Sequence, residues 1–273
     1  MNQSHSSRGF VLHEATLIQL QALKPNVAVL PWGATEAHNY HLPHGTDVVE
    51  AVAVAERAAE RANQNGARCV VLPCVPFGND NQQLHQVATI TMRTATQMAV
   101  LFDVADSLVR QGINRLVILN FHGGNEFKPL IRDIMLALPI FIVQVHGYAV
   151  APRAKELLTH ANGDHADELE TSLMLHLVPA WVAPLNTAGD GAVTPSQLPA
   201  ISGTPGVWAP RNWPALTRDT GVGDPSAATA EKGRSILGMI VEAVAPVLEQ
   251  LSAAKSGDFP FVIDSVHEKT QTP

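Results

Sequence analysis

Basic side chains are scarce in this chain, with 18 lysines and arginines against 25 aspartates and glutamates. The net charge of −7 leaves no basic stripe to displace counterions, which excludes a nucleic-acid partner. Charged residues make up only 16% and hydrophobic ones 46%, the balance of a globular chain rather than a disordered one. No uninterrupted apolar run reaches the roughly eighteen residues that would cross a bilayer, so no membrane partner is expected. The opening MNQSHSSRGF has no apolar core of a signal peptide, and a cytoplasmic location is expected. Cysteine is nearly absent. The two present, Cys69 and Cys74, stand five apart on a predicted strand, on opposite faces, and read as buried small hydrophobes.

What is present is an alternation of short apolar runs and longer amphipathic ones. NVAVLPWG (26–33) reads as a buried strand, and a helix follows over 47–66 with Val48, Val52, Ala55, Ala59 and Ala62 at helical spacing. ARCVVLPCVPFG (67–78) is a second strand. The next helix, 94–112, carries Met98, Phe102, Ala105 and Val109 along one face. Strands over 115–120 and 140–147 bracket a helix over 126–138. Continuous apolar strands, each followed by a helix, imply a parallel sheet covered on both faces. The second half is less regular: a helix over 167–178, a Pro- and Gly-rich stretch over 186–225 with Trp208 and Trp213, then a closing helix over 226–251 weakened by Gly233, Gly238 and Pro246. With no repeats and no linker, the expectation is a single three-layer α/β/α domain over 1–273 with a mainly parallel central sheet.

Three clusters of nitrogen and oxygen donors lie where chemistry collects in such folds, beyond the carboxyl ends of the strands. GATEAHNYHLPHGTD (33–47) holds three histidines, Glu36 and Asp47, without lysine, arginine or cysteine. Glu36 and His38 are two apart, so an extended backbone directs both the same way, and a turn over 43–45 can fold Asp47 back beside them. NFHGGNE (120–126) supplies His122, and DHADELETS (164–172) supplies His165 and Glu170. Two histidines and two carboxylates at one edge suit Zn, Mn, Fe or Co, and a carboxylate such as Asp47 can bridge two ions. The plain alternative is that the histidines are solvated and Asp47 caps the helix that follows it. Asn125 is equally a substrate group or a cap for a helix starting at Glu126, and Asp224 reads as a turn former.

These segments resemble the creatininase (creatinine amidohydrolase) family. WGATEAHNYHLPHGTD is similar to its G-x-x-E-x-H-x-x-H-L-P-x-x-T-D signature, NFHGGN to N-G-H-G-G-N, HADELETSLML to H-A-x-x-x-E-T-S, and TGVGDPSAATAEKG to G-V-x-G-D-P-x-x-A-T-x-E-K-G. The resemblance implies a creatininase-like fold, a binuclear centre of two divalent ions (Zn, with Mn or Fe as alternatives) and hydrolysis of non-peptide C–N bonds. It implies Glu36, His38, Asp47, His122 and Glu170 as metal ligands, with Asp47 bridging, and His165 as the group that protonates the leaving nitrogen, so that His165 and Glu170 are the catalytic pair. It also implies a homo-oligomer, commonly a hexamer.

Two positions depart from creatininases proper. Gly124 stands where they place a further Glu ligand, and Ala161 where they carry a tryptophan. The expected function is therefore a metal-dependent amidohydrolase of a small cyclic, creatinine-like amide, with creatinine itself a weak substrate. The alternatives are a formamide deformylase of a ribosylaminopyrimidine phosphate and a non-catalytic metal-binding protein. Of the remaining donors, His41 and His44 read as groups behind or around the centre, while His85 and His146 are candidates for touching substrate.

Overall fold

A computed structural model describes residues 8–255. The leader-free reading of the amino terminus falls largely on 1–7, outside the described residues. In chain order the elements are α1 (Leu17–Leu23), β1 (Val27–Trp32), α2 (Thr46–Gln64), β2 (Cys69–Val71), α3 (Thr94–Arg110), β3 (Arg115–Asn120), α4 (Lys128–Ala137), β4 (Phe141–His146), α5 (Glu168–Leu177), α6 (Pro199–Gly203), α7 (Trp213–Leu216) and α8 (Ala230–Ala253).

The four strands form one parallel sheet in the order β2-β1-β3-β4. All six residues of β1 are buried, as a strand covered on both faces requires. Its alternate side chains enter two cores. Val27 and Val29 join Val117 and Leu119 against α2, α5 and α8. Ala28 and Leu30 join Leu116 and Ile118 against Leu101 and Ala105 of α3 and Leu130 and Ile134 of α4. The result is the three-layer α/β/α arrangement that the apolar runs imply.

Several local expectations are corrected. The buried stripe of α3 is Gln97, Leu101, Ala105 and Leu108, one position off the expected face, leaving Met98, Phe102 and Val109 only partly covered. β2 ends at Val71, two residues before Pro73, so strand alternation does not carry on to Cys74. Cys69 and Cys74 consequently pack against the same core cluster as free thiols, not on opposite faces. Burial pushes both thiols up to about 12, in keeping with inert small hydrophobes.

Helix α8 begins at Ala230, later than expected, with the Thr229 hydroxyl accepting from Lys232 N–H. It is long and apolar enough to cross a membrane by length and composition alone. Its apolar side chains (Ile236, Leu237, Ile240, Val244 and Leu248) lie instead in the core shared with α2 and α5. Gly233 is needed here: a Cβ on it would meet the Ser172 carbonyl oxygen at 1.8 Å, so the glycine that lowers helix propensity lets α8 approach α5.

Candidate metal centre

The chain leaves β1 for β2 on one side of the sheet and later returns to β3 on the other. The carboxyl ends of β1 and β3, with Trp32 opposite Asn120, therefore flank a topological switch point, where parallel sheets open a crevice. Glu36 and His38 lie just beyond β1, and His122 two residues beyond β3. The N-cap of α2 is Gly45, not Asp47, which sits in the first turn with its carboxylate turned inward. Glu170 is in the first turn of α5, presented by the Asp167 cap that accepts from Leu169 and Glu170 N–H.

Asp47 lies at the middle of the cluster. Its Oδ1 is 2.9 Å from His38 Nε2, and its Oδ2 is 3.1 Å from His122 Nδ1. Glu36 Oε1 is 2.9 Å from the same His122 Nδ1, and Glu170 Oε2 is 3.8 Å from His38 Nε2. Two donor sets share Asp47, Glu36–Asp47–His122 and His38–Asp47–Glu170, and a third, Glu36–His38–His165, leaves it out; in each the donor atoms lie within 4.8 Å of one another. All five residues are buried.

The tautomers suit ligation. His38 Nδ1 faces the Glu36 backbone carbonyl at 3.1 Å and donates to it, which leaves the Nε2 lone pair free; no hydrogen bond among the described residues satisfies that buried atom. His122 Nε2 faces the Asn79 carbonyl at 3.2 Å, and its Nδ1 is turned inward to Asp47 Oδ2 at 3.1 Å. A set of two imidazoles and three carboxylates, with a buried imidazole nitrogen lacking a hydrogen bond, fits divalent ions of the Zn or Mn kind.

Without ions the charges lean on one another. Burial opposes protonation of His38, yet Asp47, Glu170 and Glu36 drive its pKa well above the usual value. His122 is raised likewise, by Glu36, Asp47 and Asp80 against the same burial penalty. Burial pushes Glu170 up to about 8 although His38 pulls it down. These are the strains that two cations would relieve.

His165 stands beside the two sets that share Asp47 and belongs to the third. Its Nε2 donates to the Ala37 carbonyl at 2.9 Å, and Nδ1 lies 3.8 Å from Glu36 Oε1. Its ring packs 4.2 Å from that of His38 and meets Trp213 edge-on at 5.3 Å. Burial, then the charge of His38, lowers its pKa to about 3, so the imidazole is neutral.

A sequence model of the creatininase family, described as creatinine amidohydrolase, matches residues 13–248. The chain belongs to the creatininase family. Among relatives, a mycofactocin precursor peptide peptidase of Mycobacterium tuberculosis is 31% identical over 253 residues, covering 89% of this chain and 93% of that protein. The creatinine amidohydrolase of Pseudomonas putida is 28% identical over 247 residues, covering 82% and 89%. A crystal structure from Bacteroides fragilis, provisionally described as a creatinine amidohydrolase, superposes with a TM-score of 0.85 at 40% identity, covering 90% of this chain and 98% of that one. A creatininase of Zn–Zn type matches the fold at a TM-score of 0.75 and 24% identity, covering 91% and 100%.

The creatininase-family chain thus brings together all five expected ligands and His165. Of the other expected donors, His41 is buried behind the centre with Nε2 2.8 Å from Thr171 Oγ1, and His44 bonds the Val87 carbonyl at the surface. His146 lines a cavity beside the centre, whereas His85 is exposed, paired with Gln86, and lines neither cavity described below. Asn125 caps nothing, because α4 begins at Lys128; it ties loops together through Asn79 N–H, Gln97 and Asn120. Asp224 makes the expected turn, accepting from Ser226 N–H.

The missing side chain at position 124 is built into the fold. A Cβ on Gly124 would meet the Asn79 carbonyl oxygen at 2.3 Å and His122 Nε2 at 2.5 Å. The segment that causes this crowding also carries Asp80, 3.0 Å from His122, and Gln83, which donates to Glu36 Oε2. The signal that would have found them is the strand-end rule already applied to β1 and β3, extended to the segment leaving β2.

Two cavities meet at the centre, sharing Glu36, His122, Gly123, Asp164 and His165. One, of about 510 Å³, is walled by Phe121, Tyr148, Pro152, Leu158 and Leu169. The other, of about 670 Å³, is lined by Asn79, Asn81, Gln82, Gln83, Trp208 and Trp213. Ala161 lies in the first cavity and the two tryptophans in the second. Trp213 is buried and Trp208 is 83% exposed, next to an Arg211 that pairs with Asp164.

Proposed function

We propose that this creatininase-family protein hydrolyses the C–N bond of a small amide at a centre of two divalent ions, zinc first, with manganese or iron as alternatives. The observation that carries the reading is Asp47, whose two carboxylate oxygens face the inward nitrogens of two different histidines. Bound there, two cations would polarise the amide carbonyl and bring the pKa of a water toward neutrality. Glu36, Asp47 and His122 would hold one ion, and His38, Asp47 and Glu170 the other. The reading is also supported by the burial of every donor, since charges so enclosed are tolerated only when paired or ligating.

His165 is the proposed proton carrier. With Nε2 committed to Ala37, Nδ1 is its only open nitrogen, and it borders both cavities. An amine anion is a poor leaving group, so the nitrogen must be protonated as the bond breaks. A buried, neutral imidazole that accepts a proton at Nδ1 becomes a strong acid and passes it on readily.

A small cyclic, creatinine-like amide is the first substrate reading. Its support is Trp213 and Trp208, which offer ring-sized walls beside His165 where Ala161 offers none. A peptide amide is the second. It is favoured by the mycobacterial relatives named as peptidases and by two cavities that meet at the centre, each as large as sites for drug-sized ligands, roughly 300–1,000 Å³. Elemental analysis of chelator-free protein should find about two divalent ions per chain, and Asp47→Ala should lose both. Full metal retention by that variant would refute the bridge. A kcat/KM comparison across creatinine, lactams, formamides and short peptides decides between the substrate readings.

A further inference from the structure

The segment after β2 contributes a side chain that the donor sets leave out. Asp80 is fully buried, and neither of its carboxylate oxygens has a hydrogen bond of good geometry among the described residues. Its backbone N–H donates to Thr91 Oγ1 at 3.0 Å, and the short turn Asn81–Gln83 that follows ends in Gln83, which is bonded to Glu36. The carboxylate is therefore held in place from behind and presented to the centre. Its Oδ1 lies 3.0 Å from His122 Nε2.

A buried carboxylate without a partner is strongly unfavourable, so a compensating group is needed nearby. His122 becomes that group once its Nδ1 lone pair is given to an ion. The ring's one proton must then sit on Nε2, where only two acceptors wait: Asp80 Oδ1 at 3.0 Å and the Asn79 carbonyl at 3.2 Å. A carboxylate is the stronger acceptor of the two and makes the ring a more basic ligand. His38 has no such support, since its outer nitrogen meets only the neutral Glu36 carbonyl. The two ligand histidines are thus braced unequally.

We propose that Asp80 is a positioning residue for His122, holding the tautomer and ring orientation that aim Nδ1 at the ion of the Glu36–Asp47–His122 set. The proposal rests on the two-ion reading above, and it predicts an effect confined to one of the two sites.

The test is zinc affinity by chelator competition, together with the visible absorption of the cobalt-substituted protein, in wild type, Asp80→Ala and Asp80→Asn. Asp80→Ala should weaken one of the two zinc affinities by about 10- to 100-fold and shift one cobalt chromophore, leaving the other affinity within about threefold. Asp80→Asn, whose amide oxygen can still accept from Nε2–H, should recover part of the loss and is the variant to read if the alanine form does not fold. Two unchanged affinities and an unchanged cobalt spectrum in folded protein would overturn the proposal. So would an equal loss at both sites. A wild type that binds no zinc would instead overturn the two-ion reading itself.

Discussion

At the scale of single residues, we propose that five groups hold ions and that His165 moves a proton. His165 has its Nε2 tied to a backbone carbonyl, and neither of the two sets that share Asp47 includes it, although it stands with Glu36 and His38 in a third. We therefore expect His165→Ala to keep both ions while turnover falls by roughly a hundredfold or more. Metal analysis and kinetics on one preparation check this, and loss of an ion would make His165 a ligand instead. Glu36 and His38 could be singled out from sequence because they follow the first strand at extended spacing, and Asp47 because a turn over 43–45 can fold it back beside them. Asp80 and Gln83 could not be singled out by composition, since an aspartate and a glutamine in a polar loop look like solvated residues until the loop is seen to close over His122.

At the scale of elements, α5 and α8 carry the consequences of close packing. Gly233→Ala should gain about 1 kcal/mol in helix propensity yet lose more, because the new methyl would strike the Ser172 carbonyl. Overpacking of this kind costs about 1–3 kcal/mol or more, so the urea midpoint should fall. A second contact ties the same helices: Lys232 of α8 reaches Glu168 at the start of α5, whose carboxylate also accepts from Thr159 and His160 N–H. Burial alone would raise the Glu168 pKa, but these donors hold it below the usual carboxyl range. Such a carboxyl stabilises the fold above its unfolded-state pKa, and the contribution disappears as pH falls through the folded value. The stability difference between wild type and Glu168→Gln should thus be full at neutral pH and shrink below about pH 4. A difference that grows on acidification would contradict this.

At the scale of the whole molecule, the stretch over 186–225 is the least regular part of the chain, and Val193, Leu198, Ile201, Val207 and Trp208 are exposed on it. Exposed apolar side chains gathered on one stretch are the composition that an interface would cover. We propose a homo-oligomer, most simply a hexamer, whose interfaces bury part of this loop. Light scattering at micromolar concentration should give a multiple of the 29.2 kDa chain mass. A monomeric mass would remove the proposal.

The sequence by itself determined the layers and the ligand types. Unbroken apolar strands such as VAVLPW can be satisfied only between two covering layers, and a donor-rich loop beyond such a strand has few uses other than a site. It did not determine where strand β2 stops, which face of α3 turns inward, or that Cys69 and Cys74 share a cluster. Those depend on Pro73 and on one-residue offsets that helical or strand periodicity does not resolve. Only the tertiary structure decided that Asp47 faces two histidines rather than capping α2, and that Asp80 stands behind His122. Both facts are distances between segments far apart in the chain, created when the crossover from β1 to β3 brings the two strand ends side by side, and no local pattern encodes them.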